Sequence, residues 1–302
     1  EIMVGPLSGG EGIAVKDYAK TQPNITFING SSGAQAATLV SPAPNFFRFN
    51  TEGAQWMVGL GKAAMDKGYK RVMIIAEDYA FPYSQVQGFM SEYCRLGGKV
   101  PEKAWVPLGG KDYSSVIAKI PKDIDALLVV LGGSDAVNFL TQYENAGGDK
   151  PMLGGSITVS QDVLNYKGKR RDSLVGTLAA GPVADSYDGA EWKAFVADYQ
   201  KTYPVSAGGF PSPSLFAYVY YQNMKAALDG LDATPMPAEW RENNRTILKN
   251  NLAFMDECLA KGSISFAALE AFAKKQGPFL ARNVTWAAQA QVSHWMNVLA
   301  EW

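Results

Sequence analysis

The strongest constraint on the fold is a repeated alternation of short apolar runs with amphipathic stretches. Residues 71–77 and 126–131 are rich in aliphatic, β-branched side chains, as strands of a parallel sheet buried on both faces are. Each run precedes a stretch whose apolar residues recur at the helical spacing i, i+3, i+4 and i+7. Strand–helix units in series predict an α/β fold, with parallel sheets between layers of helices.

The same reasoning assigns elements along most of the chain. Strands are predicted at 1–5, 25–28, 71–77, 126–131, 152–157 and 174–180, with an extended passage at 42–50. Helices are predicted at 11–21, from 52 to 67, from a Ser84/Gln87 capping pair to Gly97, from 135 to Gly147, from 188 past Tyr199, at 240–260 and at 266–275.

Two breaks suggest a division into lobes. One is the extended passage at 42–50, which contains two prolines, and the other is Gly181-Pro182 after a predicted strand. We expect two doubly wound parallel-sheet lobes joined by a hinge. Residues 51–181 would form one lobe, and residues 1–50 with 182–277 the other. Residues 278–302 would form an extended tail.

Charge and hydropathy exclude several classes of protein. The 302 residues include 28 Lys and Arg against 29 Asp and Glu, which gives a formal net charge of −1. A nucleic-acid binder would show a basic excess or stripe, and an anionic membrane surface would need a polybasic segment. The sequence has no run of about 18 apolar residues that would predict a transmembrane helix.

The residues that commonly carry catalysis are sparse. Cys94 and Cys258 are the two cysteines, and we expect two buried free thiols in preference to a disulfide, which stays possible. His294 is the single histidine, and no Gly-x-Ser-x-Gly motif accompanies it. The glycines at 5–12 miss the dinucleotide-binding spacing, and 59–63 lacks the Ser or Thr of a phosphate loop. We therefore predict no enzyme, no metal and no cofactor.

Small, hydroxyl-bearing loops follow the predicted strands. In open α/β sheets ligands bind at the carboxyl ends of strands, where glycine allows close approach and serine supplies a donor. Four such loops without an acid–base pair favour binding without chemistry. They are Leu7-Ser8-Gly9, Gly30-Ser31-Ser32-Gly33, Gly132-Gly133-Ser134 and Gly154-Gly155-Ser156, with aromatic surface added by residues 78–83.

The order of these motifs resembles a known family. Val4-Gly5-Pro6-Leu7-Ser8, Ile28-Asn29-Gly30-Ser31-Ser32, Pro44-Asn45-Phe46-Phe47-Arg48 and Glu77-Asp78-Tyr79 together resemble the type I periplasmic solute-binding proteins of ABC importers, nearest to the leucine/isoleucine/valine-binding group. The resemblance covers residues 1–230. It implies a periplasmic, monomeric receptor that closes two lobes over a small carboxylate-bearing ligand and delivers it to a membrane permease, with no nucleic-acid partner. It also implies that the tail crosses the hinge near residue 277.

The resemblance also implies where the ligand would lie. It places Ser8, Gly9, Ser31, Ser32 and Gly33 in the first lobe's half of the cleft, and Tyr79, Phe81, Ser134 and Ser156 in the second lobe's half. Amino-acid binders of this family commonly hold the ligand ammonium with a Thr and an acidic residue. Gly33 and residues 175–176 stand at those positions here, so we expect an aromatic or organic acid more than an amino acid.

Two further expectations follow. Family members begin with an additional strand–helix unit ahead of the Val4 strand, so we expect this chain to be part of a longer polypeptide whose first lobe needs that unit. Two other functions stay open: a ligand-sensing domain of a receptor or transcription regulator with the same fold, and an enzyme on a doubly wound fold.

Overall fold

The computed structural model, which describes residues 2–164 and 174–233, confirms an α/β fold built on parallel strands. The strands are β1 (Ile2–Val4), β2 (Thr26–Ile28), β3 (Phe46–Phe47), β4 (Val72–Glu77), β5 (Lys103–Val106), β6 (Ala126–Val130), β7 (Met152–Gly154) and β8 (Leu178–Ala179). The helices are α1 (Gly9–Ala19), α2 (Ala36–Leu39), α3 (Gly53–Trp56), α4 (Leu60–Asp66), α5 (Ala80–Tyr93), α6 (Ser114–Ile117), α7 (Gly133–Asn145), α8 (Gln161–Leu164), α9 (Ala190–Thr202) and α10 (Leu215–Ala233).

The strands form two separate sheets. The first has the order β1-β2-β3, and the second has the order β5-β4-β6-β7-β8. Every pairing is parallel, with Val4 opposite Ile28 in the first sheet and Ile75 opposite Val129 in the second. Because the strands of each sheet run the same way, the loops that follow them gather at one edge of that sheet.

Both faces of the second sheet are covered, which explains its apolar strands. Ile75 packs with Phe139 of α7 on one face, and Ile74 packs with Phe89 of α5 on the other. Alternate residues of a strand point to opposite faces, so a strand covered on both sides has no position for a solvated side chain.

The first sheet is covered by segments distant in sequence. Phe27 and Phe46 pack with Ala19 of α1 on one face. Ile28 packs with Met224 of α10 on the other face, so the chain returns to the first sheet after the second is complete. The lobe boundaries at 50/51 and 181/182 remain a prediction.

Several predicted boundaries were wrong. The helix predicted from 52 to 67 is divided at Gly59, whose φ of +92° breaks it into α3 and α4. The strand predicted to end at residue 157 ends at Gly154. Helix α5 begins at Ala80, so Ser84 lies within it and its hydroxyl donates to the Ala80 carbonyl at 3.1 Å. Ser84 therefore does not cap this helix.

The structure also corrects the prediction for Cys94 and adds elements that were not predicted. The free thiol of Cys94 is exposed, not buried, because the preceding Tyr93 takes the inward position at the end of α5. Strand β5 and helices α6 and α10 were not predicted. The predictions for Cys258, His294, the helices at 240–260 and 266–275, and the tail at 278–302 lie outside the described residues. None of the helices in the described ranges is both long and apolar enough to cross a membrane.

A pair of helical glycines tests the contact between α3 and α5. A Cβ on Gly88 of α5 would lie 2.2 Å from the carbonyl oxygen of Ala54, whereas a Cβ on Gly230 of α10 would meet nothing within 4 Å. Gly88→Ala should lower the free energy of unfolding by about 1–3 kcal/mol through overpacking. Gly230→Ala, the control, should raise it by up to about 1 kcal/mol. Urea unfolding measures both, and equal effects would contradict the packing described.

Candidate functional site

The loops that follow β1 and β2 are joined by hydrogen bonds. The backbone N–H groups of Ser31 and Ser32 both donate to the Pro6 carbonyl, at 3.0 and 3.2 Å. Ser8 is the N-cap of α1, and its N–H donates to the Glu11 carboxylate at 3.2 Å. The first-sheet residues predicted to bind a ligand therefore lie on two adjoining loops.

Three polar atoms of the loop after β2 are buried and have no hydrogen-bond partner among the described residues. They are Asn29 Oδ1, Ser31 Oγ and Ser32 Oγ. Leaving such an atom unsatisfied costs about 1–3 kcal/mol, so most buried polar atoms bond to protein, water or a ligand. Ser32 Oγ lies against Gly12 of α1, where a Cβ would be only 2.2 Å away. The loop thus has hydrogen-bonding capacity that the described part of the chain does not use.

Phe81 of α5 packs directly against glycines that follow β1 and β2 and against the first residue of α3. A Cβ on Gly33 would lie 2.5 Å from Cε2 of the Phe81 ring, and a Cβ on Gly9 would lie 2.8 Å from Phe81 Cβ. A Cβ on Gly53 would lie 3.1 Å from Cε2 of the same ring. Since larger residues would push the ring away, these glycines allow the two loops and the start of α5 to meet.

The Phe81 ring belongs to a cluster of four aromatic side chains. Its centroid lies 5.6 Å from that of Trp56, 6.0 Å from Phe216 and 6.4 Å from Tyr79. Val219 of α10 packs into the same cluster. Such ring separations are typical of favourable edge-to-face and tilted contacts. The sequence predicted Tyr79 and Phe81 at this place but missed Trp56 and Phe216.

The two remaining serines predicted for the second half of the cleft differ in their surroundings. Ser156 is buried, and its Oγ accepts from Gln85 Nε2 at 2.9 Å. Gln85 lies one turn after Phe81 on α5, which ties Ser156 to the helix that carries the ring. Ser134 is exposed in the first turn of α7, and its Oγ lies 3.4 Å from the Asp135 carboxylate.

A buried carboxyl group lies at the end of β4. Glu77 is 2% exposed, and its Oε1 accepts from the Gly132 N–H at 2.8 Å. Burial raises the pKa of Glu77 to about 7; the Gly132 hydrogen bond opposes that shift and the nearby Asp135 charge adds to it. Burial and the Glu77 charge likewise raise the pKa of the Tyr79 phenol well above its usual value. A charged residue ending an apolar strand was a sequence feature that could have identified Glu77.

Helix α10 brings a further polar residue to the first-sheet edge. The Asn223 amide donates from Nδ2 to the Gly30 carbonyl and to Asn50 Oδ1, each at 2.8 Å, and its Oδ1 accepts from the Phe49 N–H at 2.9 Å. The Tyr220 ring packs on Gly30, where a Cβ would lie 2.5 Å from Cε2. Neither residue could be selected from the sequence, because α10 itself was not predicted.

The arrangement supplies groups that bind, namely hydroxyls, loop backbone and aromatic rings. In the ranges that the structure describes, no three His, Cys, Asp or Glu residues are grouped to hold a metal ion. Gly33 offers no hydroxyl, and Val175 is 82% exposed. Glu77 is the acidic group next to Tyr79, and its Oε1 is already used as the acceptor for the Gly132 N–H. The Ser31 and Ser32 hydroxyls are buried as deeply but have no partner among the described residues.

Comparison of the sequence with known families finds one match along almost the whole chain. A family described as "Periplasmic binding protein" matches residues 1–299. A Brucella melitensis protein named Leu/Ile/Val-binding protein homolog 6 is 25% identical over 210 residues, which cover 66% of this chain and 53% of the relative. The chain thus spans about half the length of the curated relatives it matches.

Solved structures share the fold at low identity. One is the solute-binding protein of an ABC transporter from R. palustris in complex with benzoate, with 22% identity and a TM-score of 0.64 over 75% of this chain and 60% of that one. Another, from Rhodopseudomonas palustris BisB5 in complex with 3,4-dihydroxybenzoic acid, has 24% identity and a TM-score of 0.65, covering 76% of this chain and 61% of that one. At this identity the likeness shows the fold alone.

The raised pKa of Glu77 predicts a pH-dependent stability. An unfolded glutamate titrates near pKa 4.3, below the folded value of about 7. The folded protein therefore binds more protons between those values, and the free energy of unfolding falls as the pH rises through that window. Glu77→Gln keeps an acceptor for Gly132 without the charge. It should be more stable than the wild type at pH 8, by at most about 3 kcal/mol, with a smaller advantage at pH 5.

Urea unfolding at pH 5 and pH 8 measures this difference. Glu102→Gln, at an exposed glutamate, is the matched control and should leave the dependence of stability on pH unchanged. A Glu77→Gln protein that gains nothing between pH 5 and pH 8 would contradict the electrostatic description of this carboxyl group.

Proposed function

The chain belongs to the periplasmic binding protein family, and on that premise we propose that it is a solute-binding receptor of an ABC importer. The receptor captures a small carboxylate-bearing ligand where the loops after β1 and β2 of the first sheet meet the start of α5, which follows β4 of the second sheet. The observation that carries this proposal is the pair of buried hydroxyls of Ser31 and Ser32, which have no hydrogen-bond partner among the described residues, on the loop that packs against Phe81 through Gly33.

The residues favour an acid without an amine as the ligand. Serine hydroxyls suit a carboxylate, and the cluster around Phe81 suits an apolar or aromatic body. At the two positions where amino-acid binders of the family hold the ligand ammonium, Gly33 and Val175 carry neither a hydroxyl nor a carboxylate. The ligands named for the R. palustris structures, benzoate and 3,4-dihydroxybenzoic acid, have this chemistry.

The ligand would be bound by closure of the two lobes predicted from the sequence, residues 1–50 with 182–277 and residues 51–181. Contacts already cross between them, since Gly9 and Gly33 touch Phe81 and the Gln35 N–H donates to Ser84 Oγ at 3.0 Å. A ligand that bridges both sides would shift the protein toward its closed form. No chemical step is required, so the proposal assigns no catalytic residue.

Action as a monomer in the periplasm and delivery to a membrane permease are parts of the same proposal. The sensory alternative gains no support from the relatives, whose names are those of binding proteins.

A ligand panel tests the proposal. Benzoate and 3,4-dihydroxybenzoate should raise the unfolding temperature of the chain, whereas benzamide, leucine and phenylalanine should not. A ligand at a thousand times its Kd adds about 4 kcal/mol to the free energy of unfolding, and each kcal/mol is worth about 2–4 °C in a chain of this size. A response to leucine or phenylalanine alone would overturn the ligand class, and no response to any ligand would count against the receptor.

Two variants test whether the ligand binds at the Phe81 cluster. Phe81→Leu should weaken binding of the responding carboxylate several-fold, because it removes an aromatic surface from the cluster. Phe139→Leu, at a fully buried ring in the second sheet's core, should lower stability and leave the affinity unchanged. Isothermal titration calorimetry gives both affinities.

A further inference from the structure

Arg48, the residue after β3, connects to the candidate ligand loop through two hydrogen bonds. Its Nη1 donates to the Ser32 carbonyl at 2.9 Å, and its Nη2 donates to the Ala34 carbonyl at 2.7 Å. The two bonds bracket Gly33. A planar guanidinium can span two acceptors in this way because its donors have a fixed fork geometry.

The carbonyl between those two is also held. The Gly33 carbonyl accepts from the Gly53 N–H at 2.7 Å, and Asn29 Nδ2 donates to the Ser32 carbonyl at 3.1 Å. Three successive carbonyls of the loop are therefore bonded within the protein. The Phe81 ring contacts Gly33 as well, so the loop is fixed both by its carbonyls and by the ring.

The charge of Arg48 is not used in an ion pair among the described residues. Glu52 is the carboxylate that interacts with it electrostatically, but the Glu52 oxygens accept from Ala54 N at 2.8 Å and Gln55 N at 3.1 Å, as the cap of α3. Burial lowers the pKa of Arg48 to about 10, so the group remains protonated at neutral pH. Its hydrogen bonds go instead to the two loop carbonyls.

We propose that Arg48 is a positioning residue for ligand binding, which uses its two-pronged hydrogen bonding to hold the Ser31–Ala34 loop in the shape that receives the ligand. This inference rests on the proposed function. Arg48 itself does not touch the ligand. Lysine would keep the positive charge but could not hold both carbonyls in the same geometry.

The test compares Arg48→Lys with a matched arginine elsewhere. Arg71, which directly precedes β4, also makes two hydrogen bonds, to the Asp123 carbonyl at 3.1 Å and to the Asp123 carboxylate at 2.8 Å. It lies at the other end of β4 from Glu77 and the Phe81 cluster. Arg48→Lys should bind the responding carboxylate roughly 10-fold more weakly, the effect of about one lost hydrogen bond. It should also speed amide hydrogen exchange at residues 31–35 of the ligand-free chain. Arg71→Lys should change neither.

A second variant separates the hydrogen bonds from the charge. Arg48→Met should bind about as weakly as Arg48→Lys if the hydrogen bonds matter. An Arg48→Lys protein with wild-type affinity, or with unchanged exchange at residues 31–35, would overturn the proposal. If the wild-type chain binds no carboxylate, the proposed function fails, and the exchange measurement alone decides whether Arg48 holds the loop.

Discussion

The structure depends most on one buried amide, the side chain of Asn223. The two hydrogens of its Nδ2 have three acceptors within hydrogen-bond distance, the Gly30 and Val219 carbonyls and Asn50 Oδ1, and its Oδ1 accepts from the Phe49 N–H. A fully buried amide must find partners for its polar atoms, and these partners come from three separate segments. One side chain thereby fixes helix α10, the loop after β2 and the chain that leaves the first sheet relative to one another.

The candidate site follows from that fixed frame. With the loop after β2 held by Asn223, Arg48 and Pro6, its glycine can contact the Phe81 ring at the start of α5. Because the Phe81 ring lies so close to the loop, there is no room for a side chain at position 33. The same feature that allows the two units to meet therefore removes the hydroxyl that an amine ligand would use, and links the packing to the proposed ligand class.

The sequence predicted the strands whose two faces are both buried, and it missed an edge strand and an aromatic-rich helix. Strands β4 and β6 were predicted because both of their faces pack in cores. Strand β5 was missed because it lies at the edge of its sheet, and its Lys103 and Trp105 are exposed. Helix α10 was missed because the tyrosines and valine at 218–221 have strand-like propensity, which contact with the first sheet overrides. Asn223 and Phe216 could not be placed in the site without that helix.

The central claim is that a ligand is held between the Asn29–Gly33 loop and Phe81. The most direct measurement is a crystal structure of the chain grown with the carboxylate that stabilises it most. We expect electron density for that ligand within hydrogen-bond distance of Ser31 or its neighbours on the loop, with its body against the Phe81 cluster. Density that lies away from this loop, with Ser31 and Asn29 bonded only to protein or water, would contradict the account.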